Sequence, residues 1–228
     1  MKHLFTACCF LFLMSAQALH AETKEAILSR MDQAAPDFKA MSANIRLTTF
    51  VAVIKDTTDE SGTLVMQRVK NGSVRAILDF SHQADKSASR IIGILGNTVL
   101  MVYPNAKTYQ EINIGKKSDL LQQFLLLGFG SSGKELAQSY DITAEGTESL
   151  AGQDTTKLML VPKAASVKER LVKVEIWIPQ KAAYPIQQRF YEPADNYRIA
   201  AYSSVNLKPA IKGKQLELKP PPGYKLSR

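Results

Sequence analysis

From Met41 onward the chain alternates apolar and polar residues in short runs separated by turn signals, and few folds accept that texture. Within residues 41–54, Ile45, Leu47, Thr49, Val51 and Val53 recur at every second position. A period of two with β-branched enrichment predicts a half-buried strand. Residues 55–61 read as a polar turn, and further strands follow over 62–70, 74–80, 89–95, 98–103 and 107–112. Asn71-Gly72 and Gly96-Asn97 join two of these pairs as tight hairpins, because both residue types tolerate positive φ. Residues 140–145, 153–161, 170–178, 185–191 and 197–207 form a second group. About eleven strands in sequence-neighbour pairs predict an antiparallel meander or incomplete barrel, mainly β within an α+β chain. The Pro220-Pro221-Pro222 tail reads as an extended terminator.

Two segments depart from this period. Residues 23–38 read as an amphipathic helix with Ile27, Met31, Ala34 and Ala35 on one stripe, and Pro36 ends the periodic part. Glu22 and Glu25 favour its first turn. Between the two strand groups, Ser118-Asp119 is an N-cap signal for a Leu-Leu-Gln-Gln-Phe-Leu-Leu-Leu run over 120–127. Gly128-Phe129-Gly130-Ser131-Ser132-Gly133 stops that run, and 134–139 offers another helical turn. The insertion is either a core helix or a lid over the open side of the sheet; its glycine flanks suit a lid.

The first 21 residues stand apart from the fold. Lys2 is a short basic start, residues 4–14 are apolar, and Ala16-Gln17-Ala18 offers a small-x-small cleavage site, with a second after Ala21. This is the layout of a secretory signal peptide, too short to span a bilayer, and it places the mature domain, 22–228, in the periplasm. The alternative is a lipoprotein acylated at Cys8 or Cys9, for which Phe5-Thr6-Ala7 supplies only a stub of apolar segment. With signal cleavage both cysteines leave, so neither disulfides nor thiolate metal sites remain. Stability must then come from an apolar core.

Charge and residue types narrow the function classes. The net charge of +8 falls to +7 once Lys2 is removed, which suits anionic headgroups or an acidic partner. Basic residues are spread along the strands with no nucleic-acid-binding motif, so nucleic acid is not an expected partner. His82 is the one histidine clear of the leader, and there is no G-x-S-x-G, no H-E-x-x-H and no thiol. The acids are scattered singly, with Asp59-Glu60 reading as a solvated turn. No catalytic residue, metal ligand or cofactor is therefore expected, and a monomeric binding protein is favoured over an enzyme.

The order of features resembles the LolA/LolB family of lipoprotein-sorting carriers. Gly62, Leu64 and Arg68 fit the family's G-x-L-x-x-x-R strand. Gly96-Asn97-Thr98-Val99-Leu100-Met101-Val102-Tyr103-Pro104 looks like an aliphatic version of its G-K-T-L-W-F-Y-N-P strand, with Leu100 in place of tryptophan. An apolar lid segment, Leu160-Val161-Pro162-Lys163 and the Leu216 to Tyr224 tail follow in family order, whereas Val69-Lys70-Asn71 replaces the residues that usually follow the arginine. The resemblance implies a half β-barrel whose helices form a lid over a hydrophobic cavity. It also implies a periplasmic carrier that shuttles acyl chains of lipoproteins, or another envelope lipid, from an inner-membrane donor complex to an outer-membrane acceptor. The matching Arg68 is implied to latch the lid by hydrogen-bonding its carbonyls. A sensor or envelope scaffold on the same fold is the alternative.

Period-two alternation gives the same cavity from first principles. Leu64, Met66 and Arg68 share one strand face, as do Val99, Met101 and Tyr103, and Ile176 and Ile178. With Leu121, Phe124, Leu125 and Phe129 from the lid, these are the expected lining. Each buried methylene contributes roughly 0.8 kcal/mol, so a long acyl chain has ample driving force to enter such a cavity. Met66, Met101 and Met159 would make a compliant lining, or simply core filler. Trp177 is expected to be a buried packing anchor.

Overall fold

The computed structural model describes residues 22–69, 73–115, 125–212 and 214–227. The leader, Asn71-Gly72, Ser118-Asp119, Leu121 and Phe124 lie outside the described residues. Helix α1 (Lys24–Ala34) starts at Thr23, whose side chain accepts the Ala26 N–H. It buries Ile27 and Met31 and gives way at Pro36 to a single 3-10 turn, Ala35–Asp37. The α-helix is therefore shorter than the 23–38 pattern predicts, because proline cannot donate the next ladder bond.

Strands β1 (Ala40–Val51) and β2 (Asp56–Arg68) pair antiparallel over their whole length, from Ala40↔Gln67 to Val51↔Asp56. The turn expected at 55–61 is confined to a 3-10 turn at Ala52–Ile54 plus Lys55, which adopts φ 51°. Asp56 to Ser61 belong to the strand instead, since backbone pairing needs no apolar side chains where the hairpin overhangs the core. Val53, placed by alternation on a strand, is 89 % exposed at that tip.

A meander continues through β3 (Val74–Phe80), β4 (Arg90–Leu95), β5 (Thr98–Tyr103) and β6 (Thr108–Asn113). Helix α2 (Gly133–Ser139) then leads into β7 (Tyr140–Leu150), β8 (Gln153–Pro162), helix α3 (Ala165–Lys168), β9 (Lys173–Pro179), β10 (Gln187–Tyr191) and β11 (Tyr197–Asn206). The first strand of this second group runs five residues past the expected 145, with an irregularity between Ala144 and Thr147 where Gly146 takes φ 105°. A twelfth strand, β12 (Lys225–Leu226), has no counterpart in the sequence pattern: the tail passes its prolines and pairs in parallel with β6. The sheet order is β12-β6-β5-β4-β3-β2-β1-β11-β10-β9-β8-β7, a single curved sheet that does not close into a barrel.

The strongest local signal for α2 is its N-terminus. Ser132 accepts the Glu135 N–H while the Glu135 carboxylate accepts the Ser132 N–H, a capping box that satisfies two helix-end donors. Gly133 lets α2 approach α1, because a Cβ there would stand 2.3 Å from the Leu28 carbonyl oxygen.

Two apolar clusters occupy the concave side. Strands β7 to β9 carry Tyr140, Leu158, Leu160, Val174, Ile176 and Ile178, and α1 and α2 cover them with Ile27, Met31 and Leu136. Strands β1 to β4 and β11 carry Met41, Ala43, Ile45, Leu64, Met66, Val74, Ala76, Phe80, Ile94 and Ala200, which meet Phe38 and Phe129. The outer face of the first half is crossed by the tail: Leu216 is buried and Leu218 seats against Gly93.

Candidate functional site

Residues opposite one another on paired strands share a face, so register decides what the concave side offers. Leu64 pairs with Ala43 and Leu78, Met66 with Met41 and Ala76. Leu78 pairs with Ile92, Ala76 with Ile94, Ile92 with Met101, and Ile94 with Val99. Leu64, Met66, Val99 and Met101 therefore lie on one apolar lane, with Arg68 and Tyr103 on the same face towards opposite ends. Leu64 and Met66 are buried beneath the covering segment, whereas Leu78, Ile92, Val99, Met101 and Tyr103 are only half-buried.

The cover comes from residues 125–131. Phe129 is buried, edge-on to Tyr202 at 4.9 Å between ring centroids and stacked near Tyr184 at 6.1 Å. Leu125 is half-buried against the same cluster. Arg68 reaches the cover from β2: its Nη2 donates to the Gly130 carbonyl at 2.8 Å, and its Nη1 lies 3.5 Å from the Ala35 carbonyl at the end of α1. Its guanidinium also stands 5.6 Å from the Phe38 ring centre. One side chain thus bonds carbonyls of both segments that lie across the lane, using donors that burial would otherwise leave unpaired.

A second fastening is not legible in the sequence. Gln188, buried on the concave face of β10, donates from Nε2 to the Leu127 carbonyl, and the Tyr202 hydroxyl donates to Gln188 Oε1 at 2.6 Å. Burial pushes the Tyr202 phenol far above its ordinary range, so it stays a donor. A glutamine standing between Ile186 and Phe190 on one face of the alternation is the sequence signal that could have found this chain of bonds.

The glycines of 128–130 serve close approach. Gly128 and Gly130 take φ +77° and +76°, and a Cβ would lie 2.7 Å from Pro185 and 2.3 Å from the Phe38 ring respectively. Beside them lies a cavity of about 310 Å³, lined by Met31, Ala35, Phe38, Phe129, Gly130 and Tyr184 among others. That is the small end of the range for ligand pockets, which run from about 300 to 1,000 Å³.

Ile176 and Ile178, expected in the lining, sit elsewhere. Both are fully buried beneath α1 and α2 in the second cluster. Trp177 points to the outer face, is 6 % exposed, and donates its indole N–H to Glu148 Oε1 at 2.6 Å. His82 is exposed in a turn. Among the described residues no group of three His, Cys, Asp or Glu is placed to hold a metal ion, and no helix is long and apolar enough to cross a membrane.

No protein-family model matches the chain, and no curated protein matches it. Solved structures do. An uncharacterized conserved protein from Thermus thermophilus superposes with a TM-score of 0.52 at 11 % identity, covering 90 % of this chain and 98 % of its own. MucB gives 0.51 at 13 % identity over 86 % of this chain, which spans 62 % of the MucB chain. A LolA superfamily protein from Nitrosomonas europaea, NE2245, also matches, with a TM-score of 0.39 at 15 % identity and coverage of 83 % and 95 %. At these identities the likeness is one of fold: the chain is an open half-barrel like those of the Thermus thermophilus protein and MucB.

Proposed function

We propose that this protein is a periplasmic carrier that shelters acyl chains, of lipoproteins or of another envelope lipid, and performs no chemical step. The observation that carries this reading is Arg68, whose guanidinium bonds carbonyls of both covering segments over an apolar lane and beside a cavity. Such a latch favours a closed, empty form and yields when a ligand offers more apolar contact than the closed packing does. Bonds to a charged donor are each worth about 1.5–3 kcal/mol, so losing this latch shifts the balance towards the occupied form by on the order of tenfold or more. An inner-membrane donor and an outer-membrane acceptor would load and unload a monomeric carrier. The full burial of the cluster beneath α1 and α2 supports a second reading, a scaffold or sensor built on the same half-barrel.

The test is mass spectrometry of lipid extracted from mature protein purified from its own periplasm without detergent, beside an Arg68→Leu variant. Wild type is expected to carry a stoichiometric acylated species, and the variant to retain more of it. A protein that arrives empty, and that takes up neither fluorescent fatty acid nor lipoprotein, overturns the carrier and leaves the scaffold.

A further inference from the structure

The apolar lane ends, at the side away from Arg68, on a second polar group that the latch does not use. Along β2 the concave positions run Arg68, Met66, Leu64, Gly62, Glu60. Gly62 has no room for a side chain: a Cβ would lie 2.3 Å from the Asp79 carbonyl oxygen and 2.8 Å from the Phe80 ring. Phe80 therefore lies close over the Gly62 backbone, and the Arg90 guanidinium stands over Phe80, 5.2 Å from its ring centre. Both terminal nitrogens of Arg90 donate to Glu60, Nη2 to Oε2 at 2.8 Å and Nη1 to Oε1, while Nη1 also reaches the Ala88 carbonyl at 3.2 Å. Their side chains are 22 % and 14 % exposed.

Register places Tyr103 beside Arg90, since Ile91 pairs with Val102. The Tyr103 hydroxyl donates to Gln110 Oε1 at 3.3 Å. Desolvating an ion pair at the end of an apolar surface is costly, and a hydrophobic pair of the same size would hold the strands as well. Glu60 and Arg68 are eight residues apart, so at roughly 3.3 Å per residue the lane between the two polar ends is about 26 Å long. Half-buried Leu78, Ile92 and Met101 form its floor next to the pair.

We propose that Arg90 and Glu60, with Tyr103 and Gln110, form a headgroup stop that accepts the neutral ester-and-hydroxyl end of an acylglycerol, the acyl chain running along the lane towards Arg68. This rests on the acyl-carrier reading. The selectivity follows from charge: Glu60 already neutralises Arg90, so the site offers hydrogen bonds with no net charge, and a fatty-acid carboxylate entering it meets the Glu60 carboxylate. Removing that carboxylate turns the same site into one that favours an anion.

The experiment incubates mature, delipidated protein with an equimolar mixture of monoolein and oleate, which share one chain and differ only at the head. Gel filtration and mass spectrometry then give the ratio retained. Wild type is expected to favour monoolein by about tenfold, the discrimination that one hydrogen bond to a charged group supplies. Glu60→Gln is expected to reverse the preference, and the Glu60→Gln, Arg90→Gln pair to abolish it. A wild-type ratio near one, unmoved by Glu60→Gln, overturns the headgroup stop while the carrier stands. Retention of neither lipid by any variant overturns the carrier itself. The wild-type ratio decides the matter even if a substituted chain fails to fold.

Discussion

Gly62 and Glu60 sit two residues apart on β2, and sequence explains them to very different depths. The glycine is the first residue of a family pattern, but its reason is visible only in three dimensions, where Phe80 and the Asp79 carbonyl leave no space for a Cβ. Glu60 reads as part of a solvated turn as long as the strand is taken to begin at Gly62. Carrying the period of two back to Asp56 puts Glu60 on the face of Leu64 and Met66, and makes Arg90 the obvious counter-charge. Asp59, one residue along, does behave as a surface acid: it pairs with exposed Arg46, and that hydrogen bond, with one from Thr48, holds its carboxyl below the ordinary range. At this scale we predict that Gly62→Ala costs about 1–3 kcal/mol through overpacking. Gly96→Ala, at φ +66° with open space around it, is expected to cost only the backbone strain of about 1–2 kcal/mol. Urea unfolding of the two variants checks the ranking, and a Gly62→Ala protein as stable as wild type would refute the packing argument.

Elements are more legible than their ends. Helix α1, ten of the twelve strands among the described residues and the helical turn at α2 follow from hydrophobic period and turn chemistry. Only the apolar half of β2 announces itself, and β12 lies hidden in a tail of prolines that carries no alternation. That tail is held by contacts sequence period does not report: Leu218 against Gly93, the Tyr224 hydroxyl to the Pro104 carbonyl at 3.4 Å, and Lys225 and Ser227 N–H groups to the Lys107 and Tyr109 carbonyls. Gly93 is the receiving notch for Leu218, with 3.0 Å between its ideal Cβ and the leucine. Deleting residues 210–228 is therefore expected to leave a folded but weakened sheet that binds a hydrophobic dye such as ANS, with the outer surface of β4 and β5 uncovered. Unchanged dye binding together with an unchanged urea midpoint would show the strap to be ornamental.

At the scale of the molecule, apolar clusters line the concave side of one sheet, and polar networks tie strands across the outer face. Glu175 is 6 % exposed there, accepting from Lys173 Nζ at 2.7 Å and from the Tyr191 hydroxyl at 3.0 Å. Burial, the largest single influence, raises its carboxyl, but the two hydrogen bonds together with the charges of Lys173 and Lys157 outweigh it, and the group titrates below its ordinary 4.5. A carboxyl depressed in the folded state contributes stability that is complete above the unfolded value and lost as pH falls through the folded one. We predict a stability plateau above about pH 5 and a decline below about pH 4.5, steepened as the excess of positive charge grows. Glu175→Gln should flatten that decline; thermal melts from about pH 3 to 7 would show an identical acid limb in the variant if Glu175 has no part in it.

The sheet order carries a consequence for how the chain is made. β1 lies at the centre, with β2 already in hand on one side and β11, nearly the last strand to be synthesised, on the other. A chain made from its N-terminus can therefore zip β1 to β6 early, yet one margin of β1 stays unsaturated until Tyr197–Asn206 arrives. During that interval Ile45 and Leu47 wait without Tyr202 and Ala200, and the open margin is a template for any stray extended segment. The newborn chain needs that margin sheltered until its last strands arrive.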